Sequence, residues 1–129
     1  MAAADTSKSQ AFVAGVNEAR ASHGLRPLRV ARSLQRSSVG YARWMLDNQR
    51  FEHPAAIRAP GYFRLRGEVL ARAAGKSPPV ARIVRQWLAS PSHRAVVLEP
   101  SYRFVGVGLA YGRLGSERGT LVTGHFGAR

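Results

Sequence analysis

Cysteine is absent from the 129 residues. Its absence removes disulfides, thiolate metal sites and a cysteine nucleophile together, so the fold must rely on packing alone. No apolar run approaches the roughly 20 residues needed to cross a bilayer. The N-terminus, Met1-Ala2-Ala3-Ala4-Asp5, has no apolar h-region. Either the protein is cytosolic, or a signal peptide belongs before this stretch and Met1 has been added, a reading with which the Ala-rich start, as the residue of a cleavage site, is consistent.

Acidic residues are also scarce, 7 against 20 basic, and the net charge is +13. Only Lys8 and Lys76 among the basic residues are lysines. Such a surface favours polyanions: nucleic acid, anionic lipid head groups or cell-wall polymers bearing phosphate. The arginines are spread along the whole chain instead of forming a block, which predicts a generically basic surface that binds nucleic acid weakly and without sequence preference. Helix-turn-helix, RNA-binding and zinc-finger signatures are missing, which leaves charge as the sole argument for a nucleic-acid-binding domain.

Hydrophobic residues make up 45 % of the chain, which fits one globular domain over residues 1–129, with residues 1–7 as a flexible lead. Ser7-Lys8-Ser9-Gln10 has the spacing of a capping box and precedes Phe12, Val16 and Ala19 at helical intervals, with Gly24 as the stop, predicting a helix over 8–23. Leu34, Ser38, Tyr41, Ala42 and Met45 repeat at three and four, predicting a second amphipathic helix over 33–48. Pro54, Pro60 and Gly61 mark an irregular loop over 51–67, ending in a short extended piece at 63–66. Ser77-Pro78-Pro79 starts a third helix with one apolar face formed by Val80, Ile83, Val84, Trp87 and Leu88. Ser90-Pro91 stops it and caps a short fourth helix carrying His93.

Beyond Pro100 the pattern changes to β-branched and aromatic runs. Residues 104–111 and 120–126, joined by a turn-rich stretch, read as an antiparallel hairpin. Helices first and strands last imply an α+β domain. The glycines of Val105-Gly106-Val107-Gly108 lie inside a strand with no following helix, so they read as close helix-on-sheet packing and not as a phosphate loop.

Two histidines and a glutamate stand in short motifs flanked by packing or turn residues: Phe51-Glu52-His53, Gly67-Glu68, and Trp87-Leu88-Ala89-Ser90-Pro91-Ser92-His93-Arg94. Two neutral imidazoles and a carboxylate form a first shell suited to zinc or another divalent cation, with a position left for water or ligand. The same residues also fit a hydrogen-bonded cluster in which Glu68 holds one imidazole in a fixed tautomer. Neither reading is selected by their separation along the chain. Ser90 and Ser92 lie near His93, but a serine nucleophile also needs an orienting third group and an oxyanion hole, which sequence neighbours at a helix start seldom provide. His125 is either a third imidazole of the cluster or, the reading favoured here, an exposed strand residue; Trp44 and Trp87 read as core, and His23 as a partner of a helix C-terminus.

The order of these motifs, with Val105-Gly106-Val107-Gly108 after them, resembles the CAP superfamily: cysteine-rich secretory proteins, antigen 5, pathogenesis-related class 1 proteins and their short bacterial relatives. The resemblance runs from about Val16 to Gly127. It implies an α-β-α sandwich with a small antiparallel sheet between helices. It also implies a cleft that brings together His53, Glu68 and His93, with Phe51 buried beneath His53 and with His53 and His93 as the residues that would hold a metal. Gly67 would let backbone approach closely. The family's usual Gly-Glu-Asn is Gly67-Glu68-Val69 here, and nothing acidic lies between Glu68 and Glu99 to supply a second cleft carboxylate.

The functional expectation is an extracytoplasmic binding module whose ligand is a lipid, a cell-wall polymer or a surface protein. A metal-assisted hydrolase with Glu68 as base is the alternative from the enzyme class. The missing acidic partner favours binding over catalysis.

Overall fold

The computed structural model describes residues 2–129, with side chains from Ser7 onward. Its elements in chain order are α1 (Ala2–Ser22), β1 (Arg29–Val30), α2 (Arg32–Asp47), β2 (Leu65–Ala74), α3 (Val80–Ala89), α4 (Pro91–Val97), β3 (Phe104–Leu114) and β4 (Glu117–Ala128). The sheet order is β1-β3-β4-β2; β1 runs parallel to β3 and the other neighbours are antiparallel. This is the expected α+β sandwich, with one parallel pairing that the hairpin pattern does not announce.

Alternation along the strands sorts their side chains onto two covered faces. Val69, Val105, Val107, Leu109, Val122 and Phe126 pack with Phe12 and Val16 of α1, Ile83, Val84 and Trp87 of α3, and Val97 of α4. The opposite face carries Leu70 and Leu121 against Tyr41 and Met45 of α2. At its far end Leu34 packs with Ala59 and Phe63 from the loop before β2.

Helix α2 lies directly on β3. A Cβ at Gly106 would coincide with the backbone of Leu34 and Gln35, and one at Gly108 with the backbone of Ser38 and Val39. The two glycines permit this approach, and polar side chains lock it. Ser38 Oγ donates to the Gly106 carbonyl (2.9 Å), while the Gln35 amide donates to the Val107 carbonyl (2.7 Å) and accepts from the Val107 N–H (3.1 Å).

Several expectations are corrected. Helix α1 begins at Ala2, so Ser7 lies within it and is no cap; the Ala-rich start propagates helix through the capping-box spacing. Ser9 turns inward and donates to the Val107 carbonyl (2.7 Å). The lead expected over residues 1–7 falls mostly on Met1 and on the side chains of residues 2–6, which lie outside the described residues. Of the extended piece expected at 63–66 only Leu65 and Arg66 are strand, and they open a ten-residue β2, while the hairpin continues to Leu114 paired with Glu117. Trp44 is half-buried, stacked on Tyr41 with ring centroids 5.5 Å apart, and Arg58 lies over it.

Buried polar groups tie the layers together. Arg20 is fully buried and donates to the carbonyls of Arg26, Val97 and Glu99, which satisfies acceptors left at the end of α4. The Trp87 indole donates to the Leu70 carbonyl (3.0 Å), which gives β2 a partner on its outer edge.

Candidate functional site

The register of β2 against β4 sets Glu68 directly opposite His125, on the face covered by α2. Glu68 is 5 % exposed and His125 is fully buried. His125 Nε2 stands 2.8 Å from Glu68 Oε2, and the other carboxylate oxygen, Oε1, is 2.8 Å from His53 Nδ1. A carboxylate oxygen accepts only, so both imidazole nitrogens donate. The other ring nitrogen, His125 Nδ1, lies 2.7 Å from Ser37 Oγ, whose hydroxyl is also within reach of the Leu34 carbonyl at 3.1 Å. The result is a chain from Ser37 on α2 through His125 and Glu68 to His53.

His53 belongs to the loop after α2, and two contacts fix that loop. Tyr41 Oη donates to the Glu52 carbonyl (2.5 Å). Arg58 sets its guanidinium 4.5 Å from the Trp44 ring centroid. The Tyr41 hydroxyl is itself held above its ordinary pKa by burial first and by Glu68 second. With Nδ1–H committed to Glu68, a neutral His53 presents its Nε2 lone pair outward from a side chain that is 55 % exposed.

His93 enters from α4, with its ring centroid 6.5 Å from that of His53. Ser90 occupies the N-cap position of α4 and makes no side-chain cap bond. Its hydroxyl is instead 2.9 Å from His93 Nδ1. Burial first, and the neighbouring His53 second, lower the His93 pKa. Gly67 lets β2 pass under this region, since a Cβ there would collide with Tyr102 and Val96.

The three residues singled out from sequence thus meet in one place, by a geometry that departs from a metal shell. Both Glu68 oxygens are taken by imidazole N–H groups, so Glu68 orients rings and does not face the opening. No group of three His, Cys, Asp or Glu able to hold a metal ion occurs among the described residues. What the cleft itself offers a divalent cation is a pair of imidazoles, His53 and His93.

Two side-chain expectations fail. His125 is the innermost member of the chain and not an exposed strand residue. Phe51 is 39 % exposed and does not lie beneath His53; Arg72 stacks over it at 5.8 Å. Ser37, Tyr41 and Ser90 carry orienting roles that the motifs do not mark. A strand register for β2 would have exposed the Glu68–His125 pair. Away from the cleft, a cavity of about 190 Å³ lies near the β3–β4 turn, lined by Arg72, Gly112, Glu117 and Thr120 among others.

Comparison with known proteins bears on the family. The chain is 26 % identical over 119 residues to the uncharacterized protein YkwD of Bacillus subtilis, a match covering 85 % of this chain and 43 % of that protein. The fold is similar to that of an extracellular SCP-domain protein from Bacillus anthracis, with TM-score 0.74, 24 % identity, and coverage of 97 % of this chain and 41 % of that one. It is also similar to an outer surface protein of Borrelia burgdorferi, with TM-score 0.72, 21 % identity, and coverage of 91 % of this chain and 89 % of that one. The chain therefore spans less than half the length of the two Bacillus proteins. Residues 13–126 match the model of the CAP, or cysteine-rich secretory protein, family, and the chain belongs to that family.

Proposed function

We propose that this chain is a single extracytoplasmic binding domain whose cleft, formed by His53, Glu68 and His93, receives its ligand on the outward Nε2 atoms of the two imidazoles. The observation that carries this reading is the double engagement of Glu68. A carboxylate that accepts from two imidazoles and whose side chain is 1 % exposed is a scaffold that fixes ring orientation, and its remaining lone pairs are closed off from solvent water. That argues for binding over the hydrolase alternative. The descriptions of the Bacillus anthracis and Borrelia burgdorferi proteins as extracellular and outer-surface support placing this domain outside the cytoplasm. The ligand class is a lipid, a cell-wall polymer or a surface protein.

A zinc-like cation fits the cleft only in part. His53 and His93 would hold it and solvent or ligand would complete its shell, while Glu68 would keep the His53 tautomer and not ligate. Such an ion would supply an additional point of attachment for an anionic ligand group.

The test is calorimetric titration of zinc chloride and of soluble cell-wall fragments into the protein, His53→Ala and His93→Ala. Either substitution should abolish cleft binding, and zinc affinity should be weak and fall with pH as protons compete with the ion for the imidazoles. Binding of cell-wall fragments that neither substitution alters would remove the cleft from the function.

A further inference from the structure

Arginines gather at one end of the sheet, although the sequence spreads them. Arg29 of β1, Phe104 of β3, Gly127 of β4 and Arg66 of β2 form one rung across the four strands. Arg64 precedes that rung on the β2 side, Arg32 opens α2 beside β1, and Arg129 follows β4. All five arginines are exposed. The segments that build this end, residues 25–36, 59–66, 100–106 and 126–129, contain no Asp or Glu. Among the described residues only Arg50 and Arg72 of all the arginines meet a carboxylate.

Apolar groups stand between these cations. Leu65, flanked by Arg64 and Arg66, is 48 % exposed, and Tyr62 is 54 % exposed. Arg129 sets its guanidinium 5.4 Å from the Tyr62 ring centroid, and Tyr62 Oη donates to Ser33 Oγ at 2.6 Å, so the ring is held in place. The uncapped N-terminus of α2, with no acid in its first turn, adds positive potential at the same end.

We propose that this end of the sheet is a docking surface for an anionic lipid bilayer. Charge alone would fit any polyanion. A leucine exposed between two arginines adds nothing to phosphate binding, whereas at a bilayer it enters the acyl boundary while the neighbouring arginines and Tyr62 stay at the head groups. The surface shares no residue with the His53–Glu68–His93 cleft. Arg66 and Glu68 are alternate residues of β2, about 7 Å apart along the strand, so docking brings the cleft close to the membrane.

Sedimentation with phosphatidylcholine vesicles containing about one third phosphatidylserine tests the proposal. Arg29→Gln/Arg32→Gln/Arg64→Gln should weaken partitioning about a hundredfold, from about fivefold per arginine. A charge-matched control on the exposed faces of α3 and the hairpin, Arg82→Gln/Arg85→Gln/Arg118→Gln, should weaken it less than about fivefold by the same rule. Leu65→Ser should cost about tenfold on vesicles and leave heparin binding unchanged. Equal losses from both triple variants would show that diffuse charge, and not this surface, drives adsorption. A Leu65→Ser variant that partitions like the parent, with the first triple weakening heparin as much as vesicles, would overturn the bilayer in favour of a soluble polyanion. All seven positions are exposed, and thermal melting of each variant checks that the fold is kept.

Discussion

Two imidazoles donate to the same carboxylate at the same 2.8 Å, yet they should contribute very differently to stability. The side chains of the His125–Glu68 pair are 0 % and 1 % exposed, whereas His53 is 55 % exposed. Water can replace His53 at Oε1 at little cost, so His53→Leu should destabilise by no more than about 1 kcal/mol, the usual ceiling for an exposed pair. Nothing can replace His125. His125→Leu leaves Glu68 Oε2 buried without a donor and removes the 2.7 Å contact with Ser37 Oγ, a loss of about 3–5 kcal/mol for a broken buried pair. Against an expected total stability of about 5–15 kcal/mol, that loss is a large fraction.

Urea unfolding followed by far-ultraviolet circular dichroism at neutral pH reads both variants. With an m-value near 2 kcal/mol/M, His125→Leu should lower the midpoint by about 1.5–2.5 M and His53→Leu by less than about 0.5 M. The double variant His125→Leu/Glu68→Leu should recover much of the loss, because an apolar pair no longer strands a carboxylate. It also keeps the comparison measurable if His125→Leu alone does not fold. Equal midpoint shifts for His53→Leu and His125→Leu, or no recovery in the double variant, would refute the argument that burial sets the value of these bonds.

Three further outcomes follow from the packing and the site. Gly106→Ala should cost at least about 1–3 kcal/mol in the same urea assay, since its Cβ would occupy the space of the Leu34 and Gln35 backbone and α2 would have to lift; a midpoint like that of the parent would mean that the helix is not so closely seated. Thr123→Val should be neutral or stabilising by up to about 1 kcal/mol, because the buried Thr123 Oγ1 has no partner, and calorimetric melting decides the sign. His93 has a folded-state pKa below its unfolded value, so the unfolded chain binds the proton more readily; its contribution is present above about pH 6.5 and is lost as pH falls from there towards the folded value. His93→Gln should flatten the stability curve over that interval, and an unchanged slope would assign the pH dependence to another group.

Sequence pattern marked the helices of this fold better than the sheet, and the reason lies in what each element touches. Helix α2 has one covered face, so Leu34, Ser38, Tyr41 and Met45 print a clear period. Strand β2 has helices on both sides and reads Leu-Arg-Gly-Glu-Val-Leu-Ala-Arg-Ala-Ala, with little alternation and several good helix formers, so only its first residues look extended. Missing the strand hid its register, and with it the pairing of Glu68 with His125. His53, Glu68 and His93 were legible because their motifs carry packing and turn residues beside them. Ser37, Tyr41 and Ser90 were not, since a helical serine or tyrosine has many ordinary uses and only tertiary contact distinguishes an orienting one. Phe51 shows the converse, a motif position whose side chain takes another role when the loop beneath it is held by Tyr41 and Arg58.

The arrangement of polar groups under α2 bears on what the cleft can tolerate. Glycines at 106 and 108 bring the helix backbone onto the sheet, and Ser37, Ser38 and Gln35 reach down from that same helix to His125 and to the carbonyls of β3. The orientation of His53 therefore depends on the seating of α2, through Ser37, His125 and Glu68, as well as on its own loop. His93 is held separately, by Ser90 at the start of α4. A ligand that bridges the two imidazoles would couple two elements that otherwise meet only across the cleft, so bridging should protect the amides of α4 and of the loop after α2 from hydrogen exchange together. A ligand touching one imidazole alone would protect only one of them, which makes hydrogen exchange the measurement that distinguishes a bridging ligand from one that visits a single ring.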